Sequence, residues 1–302
     1  QEGPRSVMHA LANTAPDVLE LQQLPVPTPD PGQVRIRTLA CGICATDLEM
    51  LAGWDRTGFP SIPGHEWCGV VDAVGPGVSE SLVGQCCVGD NVLPDGGEVG
   101  FEHPGGYAEY FVTQAANLRA LPLGTDPTTA TLIEPLAVCL RGLGHLRPLN
   151  PGQALIVGDG TIGLLMTILL LQEGVEGLTI VGGVPERLAM ALDLGATHAL
   201  DYRTLDLAAQ LGRHFSTVIE ASGTESGMTT ALEGAANEAK FLILGDYADA
   251  RADFPWNSLL HRELQLIGSN AGTGAWDEAV EQFVKAGEHI GRLVTHTVPY
   301  HE

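Results

Sequence analysis

Two cysteines, Cys41 and Cys44, form a Cys-x-x-Cys pair in the stretch CGICATDLEM. Such a pair can be a redox dithiol, half of a structural zinc site, or a place where one sulfur binds a catalytic metal. A redox dithiol requires a βαβ unit, whereas the surrounding sequence is typical of short β-strands. A structural zinc site requires four ligands, and the other close cysteines, Cys86 and Cys87, are adjacent, so one of them would point away.

The remaining interpretation is a catalytic metal site with three protein ligands and one open position. Cys44 can supply a thiolate, His65 in PGHE an imidazole, and Glu134 in IEPLA a carboxylate. Zinc accepts all three kinds of donor. The sequence thus indicates a zinc site whose ligands are scattered along the chain.

A second motif with chemical meaning is GDGTIG, which follows the apolar run ALIV and precedes a helical pattern. In a dinucleotide-binding βαβ unit, Gly158 would permit the tight turn, Gly160 the approach of a pyrophosphate, and Gly163 close packing of helix on strand. The N-terminus of the helix would present free N–H groups to the phosphates. The cofactor-binding positions predicted for this turn are Gly158, Gly160, Thr161, Ile162 and Gly163.

The next strand, LTIV, ends in Gly182 and Gly183 instead of an acid. An acid there would hydrogen-bond the ribose hydroxyls of NAD and repel the 2′-phosphate of NADP. Without it, we expect room for the phosphate at Gly183 and a pairing of the phosphate with Arg187, which alternatively packs on its own helix. The sequence therefore favours NADP, with NAD as the alternative.

Two patterns divide the chain that carries these residues. Up to about Gly144, short β runs such as 34–39 are interrupted by Pro and Gly; after Pro151, apolar runs of four or five residues alternate with helical stretches. Continuous apolar strands alternating with helices predict a parallel sheet covered on both faces. We predict an α/β protein with a catalytic domain in residues 1–147, to which 272–302 can return, and a doubly wound nucleotide-binding domain in 148–271.

The composition excludes several classes of protein. The 302 residues suffice for two domains, and 15 Lys and Arg against 37 Asp and Glu give a net charge of −22, which would repel nucleic acid. The longest apolar run, Ile162 to Leu171, is about half of a bilayer span. No membrane partner and no secretory signal is expected, and six cysteines in a chain of this length fit a reducing cytoplasm.

Five motifs in order, CGICATD, PGHE, GGYAEY, IEPLA and GDGTIG, resemble those of the zinc-dependent medium-chain alcohol and polyol dehydrogenases. The resemblance implies a GroES-like β-barrel catalytic domain joined to a Rossmann domain, and a homodimer or homotetramer. It also implies hydride transfer between a secondary alcohol, polyol or sugar and NAD(P). The alternatives are a zinc-free quinone or enone reductase of the same superfamily and a nucleotide-binding protein without turnover.

The resemblance also assigns roles at the metal. It maps the zinc ligands onto Cys44, His65 and Glu134, with Glu66 able to enter or leave, whereas Cys41 corresponds to a position that packs. The segment LPDGGEVGFEHP lacks the four cysteines that hold a second zinc in many relatives, so one catalytic zinc is expected.

Three further residues gain roles by the same resemblance. Asp47 corresponds to a carboxylate behind the imidazole, which fixes its tautomer. Thr46 corresponds to the hydroxyl that takes the substrate proton. Glu49 stands where many relatives have a histidine that completes the proton relay.

Overall fold

The computed structural model describes residues 6–203, 206–251 and 253–301. This described chain divides into two compact units, one with the residues up to Glu134 and those from Trp276 onward, and one with Pro135–Ala275. The strands are β1 (Val7–Ala15), β2 (Val18–Pro25), β3 (Gln33–Cys41), β4 (Trp67–Val74), β5 (Cys86–Gly89), β6 (Tyr110–Gln114), β7 (Leu118–Ala120), β8 (Gln153–Val157), β9 (Gly177–Gly182), β10 (His198–Asp201), β11 (Phe215–Glu220), β12 (Ala235–Ile243) and β13 (Gln265–Gly268). The helices are α1 (Ala45–Ala52), α2 (Pro127–Ala130), α3 (Ile133–Leu146), α4 (Thr161–Gln172), α5 (Pro185–Asp193), α6 (Leu207–Leu211), α7 (Glu225–Gly234), α8 (Trp256–His261) and α9 (Trp276–Gly291).

Antiparallel strands dominate the first unit. Among its described residues, five strands pair in the order β6-β3-β4-β5-β7, and β1 pairs with β2 in a hairpin. The alternation of Val34 and Ile36 with polar neighbours buries one side of β3, where these two side chains pack with Trp67 and Phe111. The mostly β character that the sequence predicts for this part of the chain agrees with this sheet.

The second unit contains a parallel sheet. The strand order in its described part is β10-β9-β8-β11-β12-β13, and every pairing is parallel. The order reverses between β8 and β11, which is the Rossmann arrangement and places a ligand crevice at the carboxyl ends of these strands. The α/β fold class predicted from the sequence is confirmed.

The long apolar run of the sequence forms α4. Its residues Gly163–Leu170 are all buried, because the helix packs on β8 and β9 and is apolar on every side. The predicted buried helix is confirmed. No helix in the described ranges has the length and apolar character needed to cross a membrane.

The predicted boundary between the domains differs from the boundary between the compact units. The sequence places the domain boundary at 147/148, near the change from short β runs to alternating strands and helices. The compact units instead separate after Glu134, within α3. The return of C-terminal residues to the first unit begins at Trp276. The helix continues across the boundary because IEPLAVCLRGLGHL has no proline after its first turn. The change in sequence pattern at Pro151 therefore comes only after the end of α3.

Candidate metal centre and nucleotide-binding turn

Three donor groups come together in the first unit. The Sγ of Cys44, a ring nitrogen of His65 and a carboxylate oxygen of Glu66 all lie within 4.8 Å of one another. Cys44 immediately precedes α1, and the other two residues immediately precede β4. A thiolate, an imidazole and a carboxylate form a donor set that fits zinc, with a fourth position left for another ligand.

The loop that carries His65 is held by the chain of the GGYAEY motif. Gly64 has φ +105°, and a Cβ there would lie 2.6 Å from the backbone nitrogen of Tyr107. The Gly106 N–H donates to the Gly64 carbonyl oxygen at 2.7 Å. Because only glycine fits so close an approach, the PGHE and GGYAEY motifs act as one structural unit that aims His65.

Asp47 lies behind the cluster and is almost fully buried. Its Oδ1 is 3.5 Å from Nδ1 of His65, while its Oδ2 accepts hydrogen bonds from the Cys44 N–H at 2.8 Å and the Tyr107 hydroxyl at 3.3 Å. A carboxylate at Nδ1 orients the ring and leaves Nε2 to face a metal. The predicted position of Asp47 behind the imidazole agrees with this geometry.

Buried acids give the site an excess of potential negative charge. Burial raises the pKa of Glu66 to about 7, although the neighbouring His65 favours its ionised form. Burial also raises the pKa of Glu134 to about 8. The charge of His65 lowers this pKa, whereas the charge of Glu66 raises it further. A divalent cation would favour the ionised forms and displace these protons, so the charge balance fits a metal.

His65 is tuned by opposing effects. Burial lowers its pKa, but the proximity of Asp47 and Cys44 outweighs burial, so the pKa lies well above the usual value. The ring also packs on Phe101, with centroids 4.6 Å apart. The side-chain amide of Asn91 donates to the His65 carbonyl oxygen at 2.8 Å, which fixes the backbone of the ligand loop.

The structure groups the predicted third ligands unequally. Glu66 belongs to the three-residue cluster, whereas Glu134, at the start of α3, does not fall within the 4.8 Å group, although its charge helps to raise the pKa of His65. The sequence assigned the third place to Glu134 and an exchangeable place to Glu66. The ligand role of each stays a prediction.

The two residues predicted for proton transfer both lie on α1. The Thr46 hydroxyl donates to Sγ of Cys44 at 3.1 Å, so this hydroxyl touches a candidate metal ligand. Glu49 lies further along the helix, half-buried, and is not part of the three-donor group. Their roles in the relay stay predictions.

Cys41 differs from Cys44 in its surroundings. It ends β3, and burial, together with the charges of Asp47 and Glu66, raises its pKa well above the usual value. A raised pKa disfavours the thiolate form that binds metals, and Cys41 is not among the three grouped donors. Within the described ranges, which contain every cysteine, all are free of disulfides.

Three residues around the cluster have no role in the sequence analysis: Tyr107, Phe101 and Asn91. Tyr107 lies inside the GGYAEY motif, whose residue types alone indicate no chemical role. The contacts of the other two depend on the path of the loop between β5 and β6, which no local pattern reports.

The glycine-rich turn of the second unit joins β8 to α4 as predicted. Gly158 has φ +116°, and a Cβ on Gly163 would lie 1.9 Å from the Gly158 carbonyl oxygen, so both positions require glycine. A Cβ on Gly160 would meet no atom within 4 Å. The turn thus leaves open space beside the first N–H groups of α4, at Thr161 and Ile162, which fits the pyrophosphate of a dinucleotide.

The end of β9 contradicts one premise of the sequence analysis. Gly182 carries no acid, but a Cβ there would lie 2.3 Å from Cγ of Asp159, so a carboxylate already stands at this strand end. Gly183 does not leave room either, because a Cβ there would lie 2.3 Å from the ring of Tyr202. The statement that a 2′-phosphate would meet no carboxylate is wrong. The carboxylate was missed because Asp159 belongs to the turn after β8 and not to β9.

Arg187 lies on the first turns of α5 and is exposed. Among the described residues it has no ion pair or hydrogen-bond partner for its side chain. Arg203 is the guanidinium that touches the strand end, since its Nη2 donates to the Gly183 carbonyl oxygen at 2.9 Å. The pairing of Arg187 with a phosphate stays a prediction.

Known proteins resemble this chain over almost its whole length. The family model of the alcohol dehydrogenase GroES-like domain matches residues 30–123, and that of the zinc-binding dehydrogenase matches residues 161–285. The D-altritol 5-dehydrogenase of Agrobacterium fabrum is 31% identical over 98% of this chain and 94% of its own. The chain belongs to the zinc-dependent medium-chain alcohol and polyol dehydrogenases.

Other known proteins are similar to this chain in sequence or in fold. The sorbitol dehydrogenase of Halalkalibacterium halodurans is 27% identical over 91% of this chain and 88% of its own. A crystal structure from Sinorhizobium meliloti 1021, bound to NADP, has a TM-score of 0.85 and 26% identity over 94% of this chain and 90% of that one. A structure from Escherichia coli CFT073, complexed with NADH, shares the fold with a TM-score of 0.90 at 24% identity, covering 98% of this chain and 93% of that one.

Proposed function

We propose that this protein is a zinc-dependent dehydrogenase that transfers a hydride between a secondary alcohol, polyol or sugar and NAD(P). The observation that carries the proposal is the convergence of Cys44, His65 and Glu66 within 4.8 Å beside a buried carboxylate. The names of the relatives support the substrate class, since they include dehydrogenases of D-altritol and sorbitol.

The residues of each unit would divide the work. A bound zinc ion would lower the pKa of an alcohol ligand, and a bound nicotinamide would accept the hydride. Asp47 would hold the ring of His65 in position, and the Thr46 hydroxyl, which donates to Sγ of Cys44, would take the substrate proton. The N-terminus of α4 and the open face of Gly160 would hold the pyrophosphate.

We also propose that the unit with the metal cluster is the catalytic domain and that Pro135–Ala275 forms the cofactor domain. An oligomer, either a homodimer or a homotetramer, and a cytoplasmic location complete the proposal. The free cysteines support a reducing compartment. Light scattering of the purified protein tests the oligomeric state, and a mass equal to that of one chain would contradict it.

A substrate panel with a metal assay tests the function. Polyols, sugars and simple secondary alcohols would be assayed by nicotinamide absorbance with each cofactor, alongside elemental analysis of zinc. We expect turnover of at least one substrate by protein that contains zinc. Turnover of quinones or enones by metal-free protein would instead support a reductase, and nucleotide binding without turnover of any substrate would support a binding protein.

A further inference from the structure

Asp159, the second residue of the glycine-rich turn, has an unusual position. Its side chain crosses from the end of β8 to the end of β9, where Oδ2 accepts hydrogen bonds from the N–H groups of Gly183 at 2.9 Å and Val184 at 2.8 Å. The residue is only 9% exposed. Its carboxylate therefore has a fixed position at the strand end.

The carboxylate fills the place of a missing side chain. A Cβ on Gly182 would lie 2.3 Å from Cγ and 2.4 Å from Oδ2 of Asp159. In Rossmann folds an acid that follows the second strand hydrogen-bonds the ribose next to the adenine. Here β9 is that second strand, and the acid at its end comes from the turn after β8 instead.

One oxygen of this carboxylate is available to a ligand. Oδ2 accepts both backbone hydrogen bonds, whereas Oδ1 has no hydrogen-bond partner among the described residues and is not one of their fully buried unpaired atoms. A ribose hydroxyl is a donor and can bind to it, but a 2′-phosphate carries only negative charge and acceptors to this place. The two N–H groups that would otherwise attract a phosphate are already used by Oδ2.

The two nearby guanidinium groups do not offset the repulsion between Asp159 and a 2′-phosphate. Arg203, which contacts the Gly183 carbonyl oxygen, forms an ion pair with Asp201, with Nη2 2.6 Å from Oδ2 and Nε 2.8 Å from Oδ1. A phosphate would have to break that pair. Arg187 lies on the exposed side of α5, where solvent screens its charge.

We propose that Asp159 determines cofactor specificity, by accepting a hydrogen bond from the adenosine ribose of NAD and by repelling the 2′-phosphate of NADP. This inference rests on the proposed function and replaces the preference for NADP that the sequence favoured. It makes NAD the preferred cofactor.

Fluorescence titration of the purified protein with NADH and NADPH tests the inference without any substrate. We expect the unmodified protein to bind NADH more tightly. In Asp159→Asn, which keeps the size of the side chain and an acceptor for the backbone N–H groups, we expect the affinity for NADH to fall about tenfold or more and the affinity for NADPH to rise. The ratio of kcat/KM for the two cofactors should shift in the same direction.

A matched control and a transfer of the acid complete the experiment. Glu186→Gln removes an exposed carboxylate from the first turn of α5 and should leave both affinities unchanged. In the double variant Asp159→Ala/Gly182→Asp, the acid returns from β9 into the space that Asp159 leaves, so the preference for NADH should recover.

Three results would overturn the inference: tighter or equal binding of NADPH by the unmodified protein, an equal loss of both affinities in Asp159→Asn with the melting temperature lowered, or the same shift in Glu186→Gln. Failure of the proposed function would differ from these, since it would appear as the absence of alcohol, polyol or sugar turnover, whereas the three results above are read from nucleotide affinities alone.

Discussion

At the scale of single residues, the metal cluster depends on Asp47, because its two carboxylate oxygens contact different parts of the site. Oδ1 faces His65, while Oδ2 holds the backbone N–H of Cys44 and the hydroxyl of Tyr107. Ring orientation and helix start are therefore coupled through one side chain. Substitutions can separate this positioning role from direct coordination.

We expect Asp47→Asn to weaken zinc binding by about 10- to 100-fold, because the amide no longer stabilises a ring that donates from Nδ1. Competition with a chromophoric chelator measures the affinity. Tyr107→Phe is the control, since it removes only the 3.3 Å contact to Oδ2 and should have a much smaller effect. Equal zinc affinity in Asp47→Asn and the unmodified protein would contradict this role.

The two cysteines of the Cys-x-x-Cys pair should behave differently. Cys44→Ser should lose most of the zinc and nearly all turnover, because it removes a donor of the three-residue cluster. Cys41→Ser should keep near-normal zinc, since burial raises the pKa of that thiol and disfavours the thiolate. Elemental analysis of both variants measures the zinc content. Loss of zinc from Cys41→Ser would mean that Cys41, and not Cys44, supplies the sulfur ligand.

At the scale of elements, the turn between β8 and α4 combines two kinds of glycine. Gly163 is required by packing, because helix and strand approach so closely that a Cβ would meet the Gly158 carbonyl oxygen. Packing does not require glycine at position 160, because a Cβ there would meet no atom within 4 Å. Stability and nucleotide binding can therefore be tested separately in one turn.

Gly163→Ala should lower the free energy of unfolding by about 1–3 kcal/mol, since the helix must move away from the strand. Gly160→Ala should change that free energy by less than about 1 kcal/mol, a size typical of a helix N-cap change. Its added methyl group should instead weaken dinucleotide binding. Urea unfolding and NADH titration of both variants measure these effects, and intact NADH affinity in Gly160→Ala would argue against pyrophosphate at this turn.

At the scale of the whole molecule, 37 acidic and 15 basic residues leave a net charge of −22. Most of this charge lies on a solvated surface, whereas Glu66 and Glu134 are buried, and burial raises the pKa of the first to about 7 and of the second to about 8, so a bound cation would favour their ionised forms. Within the described ranges, the apolar clusters around Phe111 and around Phe241 contain none of the three donors. Metal binding and folding are therefore expected to be separable.

We expect one zinc per chain, and we expect a chelator to abolish turnover while the circular dichroism spectrum stays unchanged, because the hydrophobic cores remain intact. Elemental analysis before and after chelation provides the count. Two firmly held zinc ions per chain, or unfolding when zinc is removed, would contradict the prediction.

The sequence by itself determined the features that depend on local pattern. Period-2 alternation in 34–39 identified a strand, and continuous apolar runs around GDGTIG identified a parallel sheet with its glycine turn, because backbone geometry imposes these periods on neighbouring residues. Ordered motifs also indicated the family and placed Cys44 and His65 in one site. These features need no knowledge of which strands are neighbours.

Only the tertiary structure decided the features that depend on strand neighbours and loop paths. Asp159 reaches Gly182 because β8 and β9 pair in parallel with Val157 opposite Val181, which brings the two strand ends together. Likewise, Glu66 lies near Cys44 because β3 pairs with β4, with Cys41 opposite Trp67 and the Gly42 N–H donating to the Glu66 carbonyl oxygen at 2.8 Å. Side chains far apart in sequence meet only when packing selects a register, so the charge at the cofactor's ribose could not be predicted from the residues of β9 alone.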